Sequence, residues 1–162
     1  MDLYILRHGI AEDLSSTGAD RDRTLTPEGR KRTQESGKAL RRLDIEFDVV
    51  LSSPFVRAWQ TAEIVVEELG CKRLLEKCDA LSSGAPLKNL LIELKKLKCS
   101  SALLVGHEPD LSRLISVLLS GGLDVAVTMK KGAIAKLRCE EVAPANASLE
   151  WLLTSKHLCR LG

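Results

Sequence analysis

Ala102-Leu103-Leu104-Val105-Gly106-His107-Glu108-Pro109 runs from four aliphatic residues through a glycine into polar side chains. A short, unbroken apolar run reads as a strand buried on both faces. The period then changes. Leu111, Leu114, Ile115, Leu118 and Leu119 share one helical face, and Gly121-Gly122 closes that helix. Strand, polar turn and helix make one unit of a parallel sheet. The unit recurs upstream. Leu3-Tyr4-Ile5-Leu6 is an apolar strand, followed by a polar loop over residues 10–25 and a helix from Thr26-Pro27 to about Leu43. Thr is suited to the N-cap there and Pro to the first helical position. Asp48–Leu51 is a second strand, and Pro54 opens a helix whose face is Ala58, Ala62, Val65, Val66 and Leu69, with Gly70 as its stop. Residues 73–76 form a short strand before a helix carrying Leu87, Leu90, Leu91, Leu94 and Leu97. The C-terminal part changes to period two around Pro144-Ala145-Asn146 and reads as a β-hairpin of residues 133–139 and 149–153. The expected fold is a three-layer α/β/α sandwich with a mostly parallel, mixed central sheet and no cap domain. Residues 1–162 are expected to form one domain.

Composition narrows the function. The chain has 162 residues, of which 44% are hydrophobic, 28% charged and only 3% aromatic. A chain of this length buries about 70% of its unfolded surface, here in an aliphatic core. Lys and Arg number 24 against 22 Asp and Glu, for a net charge of +2. Nucleic-acid binding is not expected, because neither a basic stripe nor interleaved aromatics are present. Arg30-Lys31-Arg32 reads as a solvated helix face. Five cysteines, at 71, 78, 99, 139 and 159, lack C-x-x-C spacing, which predicts reduced thiols in a cytoplasmic protein. No apolar run of membrane-spanning length occurs, and with the first strand starting at residue 2 no leader is expected. The three histidines, at 8, 107 and 157, are not spaced as metal ligands, so neither a metal nor a cofactor is expected.

In open α/β sheets the chemistry collects beyond the carboxyl ends of the strands. Three strand ends here are polar: Arg7-His8-Gly9, Ser52-Ser53-Pro54 with Arg57 just after, and Gly106-His107-Glu108. A single histidine after a strand is more often a surface or capping residue. An arginine in a first helical turn is badly placed against the helix dipole, unless a loop carboxylate pairs with it. The coincidence is the signal: two of three histidines sit at matching strand ends, each beside a glycine that lets a ligand approach the backbone. Two guanidinium forks and two imidazoles suit a tetrahedral dianion. Without a Walker loop or a carboxylate cluster for Mg²⁺, phosphoryl transfer needs a protein nucleophile, and a neutral imidazole can serve.

Four segments carry a family resemblance. Leu6-Arg7-His8-Gly9 resembles the R-H-G signature of the histidine phosphatase (phosphoglycerate mutase-like) superfamily. Leu25-Thr26-Pro27-Glu28-Gly29 with Gln34 is similar to its L-T-x-x-G-x-x-Q segment. Residues 52–62, from Ser52-Ser53-Pro54 through Arg57-Ala58 to Gln60-Thr61-Ala62, resemble S-S-P-x-x-R-A-x-Q-T-A, and Val105-Gly106-His107 resembles the second-histidine motif. The resemblance implies that His8 is the nucleophile that becomes phosphorylated, while Arg7, Arg57 and His107 bind the phosphoryl oxygens. Glu108, directly after the second histidine, is one candidate general acid and Asp79 the other. For Glu108, a carboxylate favoured at a helix start is an equally good reading.

The mutases and acid phosphatases of this superfamily carry extra helices between the second arginine and the second histidine. The span from Arg57 to His107 is filled by core elements, so the pocket is expected to be open. The short chain, Gly106–Leu111 and the Arg23-x-Leu25-Thr26 entry resemble the SixA-type phosphohistidine phosphatases. That implies, as partner, a phosphorylated protein, specifically a histidine phosphotransfer domain. The imidazole of a phosphoramidate leaves easily once protonated, so a dedicated acid is not expected to be needed. Arg23 and Ser83 are further substrate-binding candidates, on a docking surface formed by residues 10–25 with Arg21 and by residues 79–86 with Ser82. Pairing of Arg23 with Asp20 or Asp22 is the competing reading. Two other functions stay open: a phosphatase for small sugar or nucleotide phosphates, and an idle phosphate-binding domain. Neither a nucleic acid nor a membrane is an expected partner, and a monomer is favoured.

Overall fold

In the computed structural model, which describes residues 1–161, side chains of the central strands alternate between two buried faces. Strand β1 (Asp2–Arg7) sends Leu3 and Ile5 to one side and Tyr4 and Leu6 to the other. Strand β4 (Ser101–Gly106) divides Ala102 and Leu104 from Leu103 and Val105 in the same way. This is why both segments read as continuous apolar runs. Helices α1 (Pro27–Arg42), α2 (Val56–Glu68) and α5 (Ser155–Leu161) cover one face through Ala39, Leu40, Ala62, Val65 and Leu158. Helices α3 (Leu87–Lys96) and α4 (Asp110–Ser120) cover the other through Leu90, Leu94, Leu114, Ile115 and Leu118.

The sheet has six strands, adding β2 (Val49–Ser52), β3 (Leu75–Lys77), β5 (Ile134–Cys139) and β6 (Ala147–Leu153), in the order β3-β2-β4-β1-β5-β6. The first four are parallel; β5 and β6 are antiparallel, as the period-two hairpin predicts. The result is a mixed α/β sandwich, with no cap among the described residues. Between α2 and β4 the chain forms only β3, two short 3₁₀ turns and α3.

Some boundaries differ from the sequence reading. Pro54 does not open α2. Ser53 Oγ accepts the backbone N–H of Phe55, and the helix starts two residues after Pro54, at Val56. The short strand lies at 75–77 rather than 73–76, because residues 72–74 form a 3₁₀ turn. Helix α5 has no counterpart in the sequence reading. Thr26 does cap α1, its hydroxyl accepting from the Gly29 N–H, and Gly70 and Gly121 end α2 and α4 at positive φ.

The order also creates a switch point. β1 and β4 are adjacent and parallel, but the chain leaves β1 toward β2 on one side and leaves β4 toward β5 on the other. A crevice opens between such strand ends. No helix among the described residues is long and apolar enough to cross a membrane.

Candidate active site

Register brings the two histidines together. Arg7 pairs with Gly106 at the top of the β1–β4 ladder, and the His8 N–H extends it to the Gly106 carbonyl at 3.1 Å. His8 and His107 are thus equivalent positions on neighbouring parallel strands. Their ring centroids are 5.1 Å apart with planes at 53°, close to the spacing of the strands themselves. The rings stand side by side, not opposed across a gap, so a phosphoryl group can lie against their edges but not between their faces.

The tautomer of His8 follows from its neighbours. Nδ1 lies 2.8 Å from the Gly9 carbonyl, which can only accept, so Nδ1 carries the hydrogen and Nε2 holds a lone pair. Arg57 Nε donates to that Nε2 at 3.3 Å. Burial, with Arg57 and Arg7 nearby, pushes the His8 pKa down to about 4, against a partial opposing effect from the Gly9 bond. His107 is pushed down to about 3 by burial first, then by His8 and Arg57. Both imidazoles are therefore neutral at pH 7.

The β2–α2 turn and helix α2 fix this constellation through residues whose roles were not legible beforehand. Ser53 Oγ contacts His107 Nε2 at 2.8 Å. The Ser53 hydroxyl can donate to Nε2, and in that tautomer His107 Nδ1 is the N–H donor. Thr61 Oγ1 accepts the Gly9 N–H at 3.0 Å and donates to the Arg57 carbonyl. Gln60 Oε1 accepts the Leu25 N–H. The signal for Ser53, Gln60 and Thr61 was their position inside the quoted segment.

Arg7, Arg57, His8 and His107 form one cluster. Arg7 Nη1 donates to the Met129 carbonyl at 2.8 Å, and burial lowers the Arg7 pKa against the attraction of Glu108. Two buried atoms of the cluster, Arg7 Nε and His107 Nδ1, lack a hydrogen-bond partner among the described residues. Unpaired buried polar atoms are rare, and a bound anion would satisfy both. Among the same residues no group of three or more metal-ligating side chains occurs.

The remaining candidates lie outside the hydrogen bonds of the cluster among the described residues, although Glu108 acts on the Arg7 charge. Arg23 Nε donates to the Glu12 carbonyl and its Nη1 pairs with Asp20 at 2.7 Å, so it reaches the site only through Asp20. The same Asp20 answers the anomaly of Arg57 at a helix start. Arg57 Nη2 pairs with Asp20 Oδ2 at 2.9 Å, and Nη1 donates to the Asp20 carbonyl at 2.7 Å. Glu108 spends both carboxylate oxygens on Ser112, on its N–H and its hydroxyl, which is the helix-start geometry rather than that of a free acid. Asp79 and Ser83 are exposed, outside the hydrogen bonds of the cluster. The two glycines also differ from expectation. A Cβ on Gly9 would meet Thr33 and Leu25, and one on Gly106 would meet Leu111. Protein atoms, not a ligand, claim that space.

Residues 3–82 match the family model of the histidine phosphatase superfamily, branch 1. An uncharacterized protein of Picosynechococcus sp. is 35% identical over 142 residues, 85% of each chain. The mitochondrial serine/threonine-protein phosphatase Pgam5 of Drosophila mojavensis is 37% identical over 86 residues, 52% of this chain but only 29% of that protein. Among solved structures, the protein histidine phosphatase SixA complexed with tungstate superposes with a TM-score of 0.85 at 27% identity, covering 98% of this chain and 99% of that one. A SixA homologue from Nakamurella multipartitia gives 0.74 at 26% identity, covering 94% of each. The chain belongs to the histidine phosphatase superfamily, and its activity class is that of a phosphatase. Within the superfamily it is of the SixA type.

Proposed function

We propose that the protein removes phosphate from phosphohistidine in a protein, through a covalent phosphohistidine on His8. The observation that carries this reading is the His8 imidazole itself: buried, neutral, with its lone pair on Nε2 beside two arginines. In the first step Nε2 attacks phosphorus as the bond from phosphorus to the substrate nitrogen breaks. The leaving imidazole departs neutral, its other nitrogen protonated from water. Arg7, Arg57 and His107 Nδ1–H stabilise the charge on the equatorial oxygens. In the second step water attacks phosphorus, the bond to Nε2 breaks, and inorganic phosphate and a proton are released.

A protein substrate is supported by the absence of a cap over the strand ends among the described residues. A small monoester would gain few remote contacts with which to lower the barrier. The commitment of Glu108 to Ser112 favours the same substrate, since imidazole needs no acid from the enzyme. The test compares a phosphorylated histidine phosphotransfer domain with sugar phosphates and p-nitrophenyl phosphate, and traps the enzyme during turnover. We expect kcat/KM for the phosphohistidine domain to exceed that of any sugar phosphate at least roughly tenfold, ~1.4 kcal/mol. An acid-labile, base-stable phosphate should appear on His8 and vanish in His8→Asn. Equal or better turnover of a sugar phosphate would favour a small-molecule phosphatase.

A further inference from the structure

The floor of the crevice is cationic; its rim carries the Asp20 carboxylate, with the exposed Lys131 also acting on His8. Nε and Nη2 share one edge of the Arg57 guanidinium. Along that edge Nε meets His8 Nε2 at 3.3 Å and Nη2 meets Asp20 Oδ2 at 2.9 Å. A carboxylate therefore stands next to the nucleophilic nitrogen. It is also held there: Arg23 grips Oδ1, Arg57 Nη1 holds the Asp20 carbonyl, and the loop is closed at its base by the Ala11–Leu25 bridge. The guanidinium beneath is buried, with 6% of its side chain exposed, whereas the Asp20 side chain is 57% exposed. The negative charge is thus on the solvent side of the cation. In-line displacement puts the leaving group opposite the buried nucleophile, which is also the solvent side.

We infer that Asp20 is a specificity determinant that selects by leaving-group charge: its carboxylate, fixed on the rim by Arg57 and Arg23, disfavours esters with an anionic leaving group and favours neutral or cationic ones, imidazole among them. The inference rests on reading the His8 cluster as a phosphoryl-transfer centre. It does not depend on which protein is the substrate. Like charges a few ångströms apart at a solvated rim change rates by roughly 3- to 10-fold.

The test uses three aryl phosphates that differ in the charge of the leaving group: phenyl phosphate, 4-carboxyphenyl phosphate and 4-(aminomethyl)phenyl phosphate. Asp20→Asn should raise kcat/KM for the carboxyl compound relative to phenyl phosphate by about 3- to 10-fold and lower the relative value for the amine. Intrinsic leaving-group reactivity cancels in the comparison of variant with wild type. Asp22→Asn removes a charge from the same loop, where Asp22 bonds Thr17, and should leave the ratios as they are. Asp20→Glu should retain the discrimination. A uniform change across all three compounds in Asp20→Asn would reduce Asp20 to a positioning role for Arg57 and overturn the inference. So would wild-type protein that turns over the carboxyl compound as well as the amine once each rate is divided by that of the uncatalysed ester. The phosphohistidine reading fails separately, if wild-type protein prefers sugar phosphates. No turnover of any phosphoryl donor would overturn both.

Discussion

The guanidinium of Arg57 and the imidazole of His8 meet at one nitrogen, Nε2, across 3.3 Å, while Nδ1 of the same ring is tied to the Gly9 carbonyl at 2.8 Å. The ring is fixed in one tautomer, and the cation sits where a proton on Nε2 would be repelled. Arg57 spreads its donors over three acceptors: His8, the Asp20 carboxylate and the Asp20 carbonyl.

Lysine cannot reproduce that spread. Its ammonium is a point charge without a planar edge. Arg57→Lys should lower kcat/KM by about 10²- to 10³-fold, with the fold intact by circular dichroism. A loss of less than about threefold would mean that charge alone, not the fork, is required.

The depressed histidines give a pH signature. In the folded chain His8 and His107 protonate near 4 and 3, and in the unfolded chain near the ordinary 6.5. Between those values the unfolded state binds more protons. The histidine contribution to stability should therefore be fully present well above pH 6.5 and be lost as pH drops from 6.5 toward 4. Denaturant midpoints between pH 7.5 and 5 should show this decline, and it should be shallower in His8→Asn. Titration of the His8 ring by NMR near 6.5 in the folded protein would contradict the reading.

Ser53 reaches His107 from the neighbouring strand end. Ser53→Ala leaves buried Nε2 without its partner and frees the ring to reorient. We expect kcat to fall about tenfold while phosphate inhibition weakens, and stability to drop by about 1–3 kcal/mol. Ser53→Thr, which keeps a hydroxyl, should recover part of the rate. Measured steady-state constants with unchanged kcat would remove Ser53 from the site.

At the start of α1 the helix presses against the loop that follows His8. A Cβ on Gly29 would collide with the carbonyl of Ile10, which also accepts the Thr26 N–H. Gly29→Ala should cost about 1–3 kcal/mol, seen as a lower urea midpoint. It should reduce activity too, since Ile10 lies two residues from His8.

The strands were legible because Leu3–Leu6 and Ala102–Val105 are buried on both faces, which leaves an unbroken apolar signature. That both histidines end such a run was also legible, in Arg7-His8 and Gly106-His107, but the pairing of the two strands was not. Helix α5 was not, because a seven-residue helix with Leu158 as its fully buried side chain shows no period. Asp20 was invisible as a site residue for a different reason. It lies in a polar loop where Asp20 and Asp22 look alike, and only the closing of that loop by Ala11 and Leu25 sends one of them to Arg57. Glu108 illustrates the reverse: its proximity to His107 suggested chemistry, but Ser112, one helical turn on, has the stronger claim on it.

The side-by-side histidines have a consequence for folding. Their separation is set by backbone pairing between β1 and β4, segments roughly a hundred residues apart in the chain. Such contacts are slow to form, because the intervening loop must be closed before the pairing repays it. No partly folded form lacking this central ladder can hold both imidazoles over one phosphoryl group. Regain of activity on refolding should then lag behind the formation of helix and report the moment at which the two strands lock into register.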